Sequence, residues 1–279
     1  MNISFTLPQQ IIDSSPILIS APTARNGITL IQRLLNSSNK VMVFGENTAF
    51  LNLQPRICES MLMIRPDREQ INARRSAFIN GDKEGWYSDL GPDPEMLLAA
   101  AYEAFYKTAT AYTLTAMDAG MGNWGIKNPM TDAGMIVRLR NLLKNLRVVF
   151  IYRNLYEVIR SAKACKFIMD ISQVVMYANQ WKDNLLAELD RQAPNTLFIR
   201  HDELVADAES HISQIEALTG VTGIDREVMS RKINTIRGSV RHGMSPTEYI
   251  NPEDLTTEEI DTIQTIAGNV LDRFDFRPN

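Results

Sequence analysis

Apolar residues recur along this chain in two rhythms that alternate from one end to the other. Short unbroken apolar runs, as expected of strands covered on both faces, stand at Pro16-Ile-Leu-Ile-Ser20, Val41-Met-Val-Phe44, Trp124-Gly-Ile-Lys127, Arg147-Val-Val-Phe-Ile-Tyr152 and 195–200. Between them the apolar spacing turns helical. It predicts helices over Ile28 to Leu35, about Ala49 to Met63, Pro94 to about Thr110, and Ala208 to Leu218. Another helix is expected from a Thr131 cap to about Lys144. Val174, Ala178, Trp181, Leu185 and Leu189 make a long core-facing stripe. Asn154, with Glu157 three residues on, is spelt as a capping box after the strand at 147–152. Residues 64–93 are polar and rich in Asp, Asn, Gly and Pro, and read as loop or irregular helix. Strands alternating with helices predict an α/β fold, a central parallel β-sheet flanked by helices on both faces. No repeat or low-complexity linker divides the chain, so 1–279 reads as a single domain.

Parallel sheets of this kind bind ligands beyond the carboxyl ends of their strands. That rule collects Arg25, Glu46, Lys127, Arg153 and His201 along one edge, since each stands at or just after a strand end. The segment 18–35, LISAPTARNGITLIQRLL, is the most telling of these junctions. A strand that feeds a glycine-containing loop and then a helix aims backbone N–H groups and the positive helix end at one point, which suits phosphate or sulfate. Arg25 adds a fixed charge with forked donors. Asn26, Gly27 and Thr29 are small or polar positions that allow close approach. The pattern G-x-x-x-x-G-K-[ST] is absent, and with it the lysine and Mg²⁺-binding hydroxyl of an ATPase loop.

Composition narrows the partners. Of 279 residues, 44% are hydrophobic and 22% charged, an ordinary soluble balance. A net charge of −4 argues against general nucleic-acid binding. Two cysteines, Cys58 and Cys165, are too few for a disulfide framework and read as small core residues in a reducing, cytoplasmic setting. No apolar run reaches the ~20 residues of a membrane span, and the first residues do not spell a secretory signal. The arginines at 65, 68, 74 and 75 read as a solvated face.

Four segments, in order, resemble the family of sulfotransferases that use 3′-phosphoadenosine 5′-phosphosulfate (PAPS). APTARNGITL (21–30) resembles the family's 5′-phosphosulfate loop, with Arg25, Asn26, Gly27, Ile28 and Thr29 in its last five places. WGIKNP, with Lys127, matches a strand-ending lysine in related members. VVFIYRNLYEVIRS (148–161) resembles the 3′-phosphate motif through Arg153 and Ser161. LFIRHDELVADAESHISQIEALTGV (197–221) resembles a strand-and-helix segment in which His201 replaces a common tyrosine near the nucleotide. The resemblance implies the P-loop NTPase-like sulfotransferase fold and sulfuryl transfer from PAPS to an acceptor hydroxyl, with 3′-phosphoadenosine 5′-phosphate (PAP) as the other product and no metal. It implies that Arg25 and the loop hold the phosphosulfate, that Lys127 steadies the bridging oxygen, and that Arg153 and Ser161 hold the 3′-phosphate. Glu46 resembles the base glutamate of tyrosylprotein sulfotransferases, with His242 in reserve. Lys232, Arg237, Gly238 and Arg241 resemble, loosely, a loop that closes over the 3′-phosphate. Residues 47–120 are expected to shape the acceptor side. The acceptor class (glycan, lipid, small alcohol or phenol, tyrosyl group) and assembly as a homodimer stay open. The alternatives are a P-loop-type kinase and a catalytically silent nucleotide binder.

Overall fold

Strands β1 (Ile17–Ser20), β2 (Val41–Phe44), β3 (Asn123–Asn128), β4 (Arg147–Tyr152) and β5 (Thr196–Arg200) pair side by side in the order β2-β3-β1-β4-β5, every neighbour parallel. The structure is a computed structural model, and it describes residues 14–63, 68–82, 84, 90–129, 132, 134–230 and 251–278. Alternate residues of each strand enter opposite cores, as the two-residue period of a strand requires. Leu18, Val148 and Phe150 face one core, and Ile17, Ile19, Val149 and Ile151 face the other. The α/β fold with helices on both faces is therefore what the structure shows.

Helix α1 (Ile28–Ser37) returns the chain from β1 to β2 and packs Ile28, Ile31, Leu34 and Leu35 into the smaller core. A π-helical turn (Ala49–Leu53) runs directly into α2 (Gln54–Met63), and α3 (Arg68–Ile79) and α4 (Pro94–Asp118) complete a helical region before β3. Then come α5 (Met135–Leu142), α6 (Leu155–Ala164) and α7 (Ile171–Arg191). After β5 the chain forms α8 (His201–Ala206), α9 (Ala208–Thr219), a 3₁₀ turn (Arg226–Ser230) and α10 (Thr257–Arg273). Asn154 caps α6, its side chain accepting from Tyr156 N, while the Glu157 carboxylate is engaged by Arg153 and Arg160.

Three expectations need adjusting. The polar stretch 64–93 contains the regular helix α3, although among its described side chains only Ile71 is buried. Helix α4 continues well past Thr110 to Asp118. Its threonines do not break it, because Thr108, Thr110, Thr113 and Thr115 each donate to the carbonyl four residues back, at 2.8–3.0 Å. Helix α5 starts only at Met135, with Gly134 at its N-cap, and ends at Leu142. The expected Thr131 cap lies outside the described residues. No helix among the described residues is long and apolar enough to cross a membrane.

Candidate functional site

The chain from β1 passes to one flank of the sheet and the chain from β4 to the other, so a crevice opens between the ends of these two central strands. The loop 21–27 fills that crevice. Its backbone is folded tightly, with Arg25 at φ 72° and Gly27 at φ 103°, both in the left-handed region. Gly27 is required as glycine for a second reason. A Cβ there would lie 2.5 Å from Cδ2 of His201 and 3.2 Å from Cδ1 of Ile151. Helix α1 opens at this glycine, with Leu30 N donating to Gly27 O at 2.9 Å. The helix N-terminus thus points into the crevice, as an anion site needs.

The side chains foreseen for the site collect around this loop. Arg25 Nε donates to Ser161 Oγ at 3.1 Å, joining the loop to buried Ser161 on the second turn of α6. Arg153, at the end of β4, donates its backbone N–H to Asn26 Oδ1 at 2.9 Å, and its guanidinium lies 3.3 Å from Glu157. Lys127, on β3, donates from Nζ to Thr29 Oγ1 at 3.2 Å and stands 3.7 Å from Glu46. Burial pulls the Lys127 ammonium below its ordinary pKa, an effect that Glu46 opposes and Arg25 reinforces. His201 packs its ring on Gly27. Burial first, then the Arg153 charge, push its pKa down to about 4, so the imidazole is neutral at neutral pH.

Two side chains in the resembled motif face away from the crevice. Ile28 is buried in the core below α1, which leaves only its backbone to meet a ligand. Asn26 is fully buried, and its amide donates to Thr23 O at 2.9 Å and Thr23 Oγ1 at 3.0 Å. It shapes the loop from inside. Lys232, Arg237, Gly238, Arg241 and His242 lie outside the described residues. Two contacts were not foreseen. Asn184 Nδ2 donates to Pro22 O at 2.9 Å, and Tyr177 Oη faces Ala24 O at 3.4 Å, both from α7. The sequence signal was present: two polar residues seven positions apart, set among the apolar positions of a core-facing helix.

No protein-family model matches the chain. One stretch of 114 residues is 31% identical to receptor-type adenylate cyclase B of Leishmania donovani, covering 37% of this chain and 8% of that protein. The chain thus spans less than a tenth of that relative's length. Among solved structures, the sulfotransferase domain from the curacin biosynthetic pathway superposes with a TM-score of 0.50 at 13% identity, covering 95% of this chain and 99% of that domain. The sulfotransferase domain of the Synechococcus PCC 7002 olefin synthase gives 0.48 at 15% identity, covering 95% and 98%. At such identities the likeness concerns backbone architecture. The chain has the α/β fold seen in the sulfotransferase domain of the curacin pathway.

Proposed function

We propose that the chain is a sulfotransferase that moves a sulfuryl group from PAPS to a hydroxyl of an acceptor. The carrying observation is the convergence of Arg25, Lys127, Arg153, Ser161 and Glu46 on one glycine-pinched loop at the head of α1. Such a cluster of fixed cations and inward-tied loop carbonyls suits a ligand with two anionic groups. Arg25 and the loop amides hold the 5′-phosphosulfate. Arg153 and Ser161 take the 3′-phosphate. In the transfer a bond forms between the acceptor oxygen and sulfur, and the bond from sulfur to the nucleotide's phosphate oxygen breaks with its electron pair. Lys127 offsets the charge that builds on that leaving oxygen. The acceptor proton passes to Glu46, whose half-exposed carboxylate beside Lys127 is open to an incoming hydroxyl. The helical region 47–120 follows Glu46 directly and forms the acceptor side. Phe44, Phe50 and Trp124 pack around Tyr112 of α4, which ties that region to β2 and β3.

Thermal shift and turnover test this reading. PAP without Mg²⁺ is expected to raise the melting temperature, by about 2.7 kcal/mol of stability at a hundredfold excess over Kd, whereas Mg·ATP is not. Stabilisation by Mg·ATP alone would overturn it in favour of a phosphotransferase. An acceptor screen by mass spectrometry should show the sulfate mass gain. Glu46→Gln is expected to keep PAP affinity and to lose about 10²–10⁴-fold in kcat, the usual worth of a general base. Near wild-type turnover in that variant removes Glu46 from the role.

A further inference from the structure

A loop that receives an anion must turn N–H groups toward it and carbonyls away, and each carbonyl turned into the protein needs a donor. In this loop three successive carbonyls are met by side chains. Pro22 O accepts from Asn184 Nδ2 at 2.9 Å, and Thr23 O from Asn26 Nδ2 at 2.9 Å. Ala24 O faces both Tyr177 Oη and Asn26 Nδ2 at 3.4 Å. Asn26 belongs to the loop, but Asn184 and Tyr177 reach it from α7, more than 150 residues further along the chain. They stand two helical turns apart and are 7% and 5% exposed.

We infer that Asn184, assisted by Tyr177, is a positioning residue for the donor site: it fixes the carbonyls of 22–24 inward and so keeps the loop in its anion-receiving shape. The inference rests on the reading of loop 21–27 as the site of the PAPS phosphosulfate. Two observations beyond the contacts support it. Val174, Ala178, Trp181 and Leu185 bury the same helix in the larger core, so the donors are presented from a rigid support rather than from a mobile side chain on the surface. A polar residue on a core-facing helix also costs stability unless it is satisfied, and Asn184 spends its amide on the loop. The Tyr177 phenol, raised well above its ordinary pKa by burial, stays an O–H donor throughout the working pH range.

The test compares Asn184→Asp, which puts a carboxylate where the amide donor was, and Asn184→Leu, which keeps bulk and removes the donor. Tyr177→Phe is the milder variant that preserves packing, and Leu185→Ala loosens the same helix without touching the loop. For each, PAP affinity is read by calorimetry alongside melting temperature and the KM for donor and for acceptor. Loss of one buried hydrogen bond to a site-forming carbonyl predicts about tenfold weaker PAP binding in the Asn184 variants. Donor KM should rise in step, with acceptor KM unchanged. Tyr177→Phe should weaken PAP binding about two- to threefold, in keeping with its longer contact. Leu185→Ala should lower the melting temperature with PAP affinity intact. The inference is overturned if the Asn184 variants bind PAP like the parent, or if Leu185→Ala weakens PAP as much at equal loss of stability. Arg25→Ala separates the two levels. If it too leaves PAP binding intact, the donor-site reading has failed; if it alone abolishes binding, only the role of Asn184 has.

Discussion

Replacing Gly27 with alanine makes two separable demands on the loop. The first is conformational: at φ 103° a residue with a Cβ pays about 1–2 kcal/mol. The second is steric. The new methyl would lie 2.5 Å from the His201 ring and 3.2 Å from Ile151, which is fully buried. Overpacking of this kind costs about 1–3 kcal/mol. Together the two predict a loss of about 2–5 kcal/mol, large against the usual 5–15 kcal/mol of a folded domain but short of unfolding it. For a chain this long, that is a fall of about 4–10 °C in melting temperature. Urea unfolding of Gly27→Ala, His201→Ala and Gly27→Ala/His201→Ala gives the split. Removing the ring should return the steric part, about 1–3 kcal/mol by double-mutant cycle, and leave the conformational part in place. A Gly27→Ala protein within about 0.5 kcal/mol of the parent, the range of an ordinary surface change, would refute the account of the loop given above.

Two further predictions can be checked with the same protein. Ser161→Ala removes the acceptor that holds Arg25 Nε, so PAP binding should weaken about three- to tenfold with little change in melting temperature; unaltered binding would show that Arg25 is oriented by other contacts. His201 has its pKa pushed down to about 4 from an unfolded value near 6.5, so between these values the unfolded chain binds the extra proton. Its contribution is therefore complete above about pH 6.5 and is lost as pH falls toward 4, about 3 kcal/mol in all. Urea unfolding across that window should show a slope that His201→Gln flattens, and an unchanged slope would count against a neutral buried ring.

Local chemistry made most of the framework readable in advance. The five strands are short apolar runs with no competing signal, and the loop at 21–27 carries its own instructions in Gly27 and in the polar neighbours of Arg25. Arg153 and Ser161 could be paired because Arg153 stands just after β4 and Ser161 on the second turn of the helix that follows, eight residues on. The full length of α4 was obscured because threonine is a poor helix former in isolation, whereas here each hydroxyl is absorbed by a carbonyl of the preceding turn. Helix α3 was obscured by its polarity, since a helix with one core residue has almost no apolar rhythm to read. Asn26 looked like a ligand contact because a small polar residue in such a loop serves equally well as lining or as internal brace. Only the three-dimensional position of Thr23 and of the Arg153 amide separates the two roles. Asn184 and Tyr177 mark themselves as polar positions on a core-facing helix, but their partners lie more than 150 residues away, so the sequence does not say what they bind.

The central place of β1 has a consequence for how the chain comes into being. Both neighbours of β1, the strands β3 and β4, are synthesised more than a hundred residues after it. Until they emerge from the ribosome, Ile17, Leu18 and Ile19 belong to a strand with two open edges and no native partner, followed by the loop 21–27 without its partners on α6 and α7. Such non-local pairing slows folding and leaves an unpaired apolar edge exposed to other chains in the meantime. The earliest-made piece of the site thus waits for β4, and for Asn184 beyond it, before its native contacts can form.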